Sequence, residues 1–202
     1  SIDLWLRVSS TNQMAEPPSR SGNDVGSGDE GSHPEAERLS SGISGLDTVL
    51  GGGFLTGYHY LIRGTPGAGK TVLGWHFLTA GGGGDALYVT FEERPEKIRR
   101  NAASLGLDLD GVTILDLSPE ARSLAEGGSY DVFAPSAVEY EALTARVRTQ
   151  FEADPPSRVL LDPVTQLRYL APDEYQFRRE LLSLMDLLTG RGETVLFTSQ
   201  TS

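Results

Sequence analysis

The chain has 202 residues, a formal net charge of −11 and 38% hydrophobic content, enough for one ordinary domain with further segments outside its core. Cysteine is absent, which excludes disulfides, thiol catalysis and thiolate metal sites, and no apolar run approaches the ~20 residues of a membrane span. Only two of the 17 cations are lysines, Lys70 and Lys97, and the acidic balance argues against broad nonspecific binding of nucleic acid. With no basic-then-apolar start, a cytoplasmic protein without a membrane partner is the simplest reading.

Residues 1–37 read as a disordered acidic leader. They carry seven acids against two arginines, and Glu16-Pro17-Pro18-Ser19 and Gly26-Ser27-Gly28-Asp29 offer little to bury. Ile2, Leu4, Trp5, Leu6 and Val8 are an apolar exception: a frayed terminus, a stretch translated from upstream of the true start, or a docking peptide. Order is expected over residues 38–202. Ser40–Phe54 holds a short helix, with Ser44 as N-cap, Gly51 as stop, and Leu46, Val49 and Leu50 on one face. Tyr58–Arg63 is aromatic and β-branched, a short buried strand.

That strand runs into Gly64-Thr65-Pro66-Gly67-Ala68-Gly69-Lys70-Thr71, which satisfies G-x-x-x-x-G-K-[ST] in full. This is the phosphate-binding loop of nucleoside-triphosphatases. The glycines let successive backbone N–H groups turn inward at a helix N-terminus, and Gly67 and Gly69 take conformations that a side chain disfavours. Lys70 brings an ammonium to the β- and γ-phosphates, and the Thr71 hydroxyl is placed to ligate Mg²⁺. Val72–Leu78 continues as a buried helix, so the motif stands in the strand–loop–helix setting it requires.

Beyond the Gly81–Gly84 turn, Ala86–Phe91 is a second strand ending in Glu92-Glu93. A helix follows with Pro95 in its first turn, Ile98 facing inward and Gly106 past its end. Val112–Leu117 is a third strand, and Ser118-Pro119-Glu120 can open a short helix. Another helix runs from Ser136 to Glu152, with Leu143, Val147 and Phe151 at spacing four, until Pro155-Pro156 breaks it. Arg158–Asp162 is a fourth strand. A long amphipathic helix from Asp173 to Thr189 presents Phe177, Leu181, Leu184, Met185 and Leu188, and Thr194–Thr198 is the fifth strand. Strands alternating with helices imply an α/β fold: a parallel sheet, helices on both faces, and ligands at the strands' C-terminal edge.

Every chemically suggestive group falls at such an edge. Asp162, after an apolar strand, is where a carboxylate on the Mg²⁺ side belongs. Glu92 or Glu93 can orient and deprotonate the attacking water, or the pair is simply an acidic helix start. Gln200 can hydrogen-bond the γ-phosphate, or is simply the polar end of a strand. His33, His59 and His76 are too dispersed for a metal site.

Leu39–Phe54, the phosphate loop, Tyr88–Glu93 and Val159–Asp162 together resemble the KaiC-like branch of the RecA superfamily. Ser41-Gly42-Ile43-Ser44-Gly45-Leu46-Asp47 resembles the opening shared with archaeal recombinases, Glu92-Glu93 the twin catalytic glutamates of KaiC, and Arg178-Arg179-Glu180-Leu181 also echoes that branch. Asp162-Pro163 stands where KaiC itself usually has Asp-Ser. The resemblance implies a RecA-like P-loop domain over residues 38–202 that binds ATP and Mg²⁺ and hydrolyses ATP slowly. It also implies a ring-shaped homo-oligomer, commonly a hexamer, with nucleotide at subunit boundaries and a regulatory protein partner. Glu92 aligns with the single glutamate that RecA-type ATPases carry after this strand, which makes it the better base; Lys70 completes the expected catalytic set. Family domains continue through further strands after Ser202, so a domain lacking its C-terminal strands is expected, and no autokinase site is assigned. A recombinase-like DNA-dependent ATPase and a nucleotide-dependent scaffold are the competing readings.

Overall fold

The computed structural model describes residues 2–7, 37–119, 121, 136–171, 173–188 and 192–200. Its strands in chain order are β1 (Ile2–Arg7), β2 (Arg38–Leu39), β3 (Phe54–Leu55), β4 (His59–Gly64), β5 (Ala86–Thr90), β6 (Thr113–Asp116), β7 (Arg158–Asp162) and β8 (Thr194–Gln200). The helices are α1 (Ser44–Val49), α2 (Lys70–Thr79), α3 (Pro95–Ser104), α4 (Ser136–Ala153), α5 (Thr165–Leu170) and α6 (Glu174–Leu188).

Five strands form the expected parallel sheet in the order β4-β8-β7-β5-β6, so β8 separates the strand feeding the phosphate loop from the strand ending in Asp162. β5 and β7 are buried at every position, as strands covered on both faces must be. Their side chains alternate with period two. Leu87, Val89, Val159, Leu161, Val195 and Phe197 pack with Leu143, Val147 and Phe151 of α4 and with Leu184 and Leu188 of α6. Tyr88, Leu160 and Leu196 pack on the opposite face with Trp75, Phe77 and Leu78 of α2 and Ile98 of α3. Each of these fully buried large side chains contributes roughly 1.5–3 kcal/mol. α2 lies so close to β7 that a Cβ at Gly74 would stand 2.6 Å from Leu160 Cδ2, which explains a glycine inside this helix.

The structure departs from expectation in several places. One stretch of the expected leader, Ile2–Arg7, is a strand that pairs antiparallel with β4, with Asp3 opposite Arg63 and Leu4 opposite Ile62. Its apolar alternation gives it a register that the Pro- and Gly-rich residues after it lack. Residues 8–36 lie outside the described residues, as do Glu120 and residues 122–135; of the helix expected to open at Ser118, Pro119 and Ala121 are described and helical, with Ala121 N–H donating to Ser118 Oγ at 3.4 Å. In α1, Ser44 is the first helical residue and not the N-cap; Ile43 holds that position without a side-chain cap bond. Val49 is 82% exposed and leaves the packed face to Leu46 and Leu50. α5 and the β2–β3 pair were not anticipated, being too short to show a period.

Candidate functional site

β4 ends at Gly64, and the chain turns through Thr65–Gly69 into α2. Gly69 is the N-cap of α2 at φ 88° and Gly67 has φ 78°, a region where a β-carbon is strained; no side chain caps the helix. The backbone N–H groups of the first turn are thus left for a ligand. Ala68 N–H donates to Thr65 O at 3.2 Å and tightens the loop. The Lys70 ammonium is buried, donating to Gly64 O and Thr65 O at 3.0 Å each. An ammonium has three donors, so one remains for a phosphate oxygen.

A cleft of about 390 Å³ opens above this loop. Pro66, Gly67, Gly69, Lys70 and Thr71 form one wall; Glu92, Glu93, Asp162, Pro163 and Gln200 line it from the ends of β5, β7 and β8. Candidate residues as far apart in sequence as Pro66 and Gln200 therefore meet around one space. Gly64 and Thr65 lie behind, where their carbonyls hold Lys70.

The two glutamates are held differently. The exposed Glu92 carboxylate accepts a hydrogen bond from Gln166 Nε2 of α5. Glu93 pairs with Lys97 at 2.6 Å, one turn along, and its backbone N–H and carbonyl both bond Thr90 Oγ1. Asp162, 7% exposed, has both oxygens engaged: Tyr88 O–H donates to Oδ2 at 3.0 Å and Thr198 Oγ1 to Oδ1. Burial first, and then the Asp162 charge, push the Tyr88 hydroxyl well above its ordinary range, so it stays protonated. The Trp75 indole N–H lies beside that hydroxyl without full hydrogen-bond geometry. One hydroxyl, Thr71, and one carboxylate, Asp162, are the sparse oxygen set that suits Mg²⁺, which keeps several waters and takes further oxygens from phosphate.

Tyr88, Thr198, Gln166 and Lys97 were missed as site residues. Strand parity could have found the first two, since Tyr88, Asp162 and Thr198 fall on the same face of the sheet as α2. Gln166 lies on a helix without a legible period.

The family model described as "ATPase: KaiC" matches residues 39–202. The chain belongs to the KaiC ATPase family. Its KaiC-like domain is 34% identical over 175 residues to the circadian clock oscillator protein KaiC of Parasynechococcus marenigrum, covering 82% of this chain and 33% of that protein. The circadian clock protein KaiC3 of Synechocystis is 32% identical over 174 residues, covering 81% and 33%. The crystal structure of a KaiC-like protein from Pyrococcus horikoshii OT3 superposes with a TM-score of 0.64 at 27% identity, covering 82% of this chain and 73% of that one. The KaiC-like domain thus has the RecA-like fold expected from its motifs, and the chain spans about a third of the length of the curated relatives it matches. β1 stands outside the matched segment.

Proposed function

We propose that this domain binds ATP with Mg²⁺ and hydrolyses it slowly, as part of a homo-oligomeric regulatory ATPase of the cytoplasm. The observation that carries the reading is the Lys70 ammonium, bonded to the Gly64 and Thr65 carbonyls at the N-terminus of α2 and facing Glu92 and Asp162 across one cleft. In this reading the N–H groups of the phosphate loop and the third Lys70 donor bind the β- and γ-phosphates. Thr71 and Asp162 hold the metal, which supplies charge neutralisation at the γ-phosphoryl group. Glu92, turned by Gln166, accepts the proton of the attacking water, and Gln200 bonds the γ-phosphate from the end of β8.

The decisive variant is Lys70→Ala. A unit charge pair at 4 Å is worth about 4 kcal/mol at intermediate dielectric, so affinity for ATP should fall tenfold or more. Titration calorimetry giving equal affinity for variant and parent would refute the assignment.

A further inference from the structure

Asp162 is set deeper than a carboxylate at a strand end needs to be, and both of its oxygens already accept hydrogen bonds. The donors come from the two strands that flank β7: Tyr88 from β5 and Thr198 from β8. The register explains the meeting. Thr90 stands opposite Asp162, which puts Tyr88 two residues back on the same face; Leu161 stands opposite Phe197, which puts Thr198 beside Asp162. Tyr88 and Thr198 are 2% and 0% exposed, so water does not compete for either bond.

We propose that Tyr88 and Thr198 are positioning residues that fix the Asp162 carboxylate in one orientation, each hydroxyl engaging a different oxygen, for its task at Mg²⁺. This rests on the reading of the cleft as a Mg²⁺·ATP site. An ionised carboxylate offers about four lone-pair sites, and two hydroxyl donors leave the others to the hydration shell of a metal. A side chain clamped in this way loses no rotamer freedom when the cation arrives. The Tyr88 ring is core and would pack as phenylalanine does; only the hydroxyl belongs to the proposed role.

The test compares the parent with Tyr88→Phe and Thr198→Val, each a near-isosteric removal of one hydroxyl. Binding of a non-hydrolysable ATP analogue is measured by calorimetry in EDTA and again across a Mg²⁺ titration. In either variant the Mg²⁺ concentration for half-saturation should rise about five- to tenfold, while affinity in EDTA stays within twofold of the parent. Tyr88→Phe placed on Asp162→Ala should add no further shift, because the acceptor is gone. An unchanged Mg²⁺ requirement in both variants overturns the proposal, as does an equal loss of affinity with and without Mg²⁺. Should one variant fail to fold, the other decides by the same criteria. A parent protein that binds no nucleotide in either condition instead refutes the Mg²⁺·ATP reading itself.

Discussion

Glu92 and Glu93 are neighbours in sequence with unlike surroundings. Glu93 is tied to Lys97 and to the Thr90 turn, whereas Glu92 is exposed on the cleft and steered by Gln166. Glu92→Gln keeps shape and removes the base, so turnover should drop about 10²-fold or more with ATP affinity retained. Glu93→Gln breaks an exposed pair worth about 0.2–1 kcal/mol and should cost far less turnover. Gln166→Ala should fall between the two. Single-turnover rates check the order; if Glu92→Gln keeps the parental rate, the glutamates are only an acidic helix start. The sequence pointed to Lys70 through a motif of fixed spacing, and to Asp162 and the glutamate pair because each follows an apolar strand. It hid Gln166, since a lone polar residue on a six-residue helix shows no pattern until α5 is folded against the cleft.

At the scale of the elements, α1 depends on one side chain. Asp47 reaches back to accept from Ser40 Oγ at 2.6 Å and from Ser41 N at 2.7 Å, closing the segment that α1 belongs to. Burial alone would raise its carboxyl, but the hydrogen bonds from Ser40 and Ser41 outweigh that and hold it below the usual carboxylate value. A depressed folded-state pKa contributes stability that is present above the unfolded value, about 3.9, and fades as pH falls through the folded one. Asp47→Ala should therefore lower stability by about 1 kcal/mol at pH 7, a low figure because the site is solvent-screened. The gap should narrow below about pH 4. Urea melts at pH 7 and pH 3 check both statements, and an equal gap at the two values would contradict the carboxylate's role. The same segment marks where legibility ends. The core strands and α4 were readable because runs such as Val159-Leu160-Leu161 and the spacing of Leu143, Val147 and Phe151 express burial directly. Val49 shows the same apolar character and is exposed, because this six-residue helix packs on the core through Leu46 and Leu50 and leaves Val49 off that face.

For the molecule as a whole, the charge around the cleft is informative. Among the described residues lining it, Glu92, Glu93 and Asp162 supply three carboxylates and Lys70 the one ammonium. A triphosphate entering that field gains from a divalent cation and from any positive group brought by a neighbouring copy. Tyr175 and Leu182 of α6, 76% and 39% exposed, are apolar surface available to association. Sedimentation velocity should show a larger species with Mg²⁺ and a non-hydrolysable ATP analogue than without nucleotide. An unchanged monomer in both conditions would remove the support for an oligomeric ATPase in this chain.

The close seat of α2 on β7 also matches two polarities. β7 carries Arg158 at its start and Asp162 at its end, and the antiparallel helix above it runs from the phosphate loop to Thr79, with Phe77 in its last turn. The Arg158 guanidinium donates to Phe77 O at 2.9 Å and lies 4.9 Å from the Phe77 ring, at the helix's partially negative end. Asp162 faces the cleft at its partially positive end. Strand and helix are thus a pair of opposed dipoles, each charged end of β7 set against the helix end of opposite sign. In the proposed reading a phosphate bound at that pole would meet the Asp162 carboxylate there, and Lys70 together with a metal would offset the two.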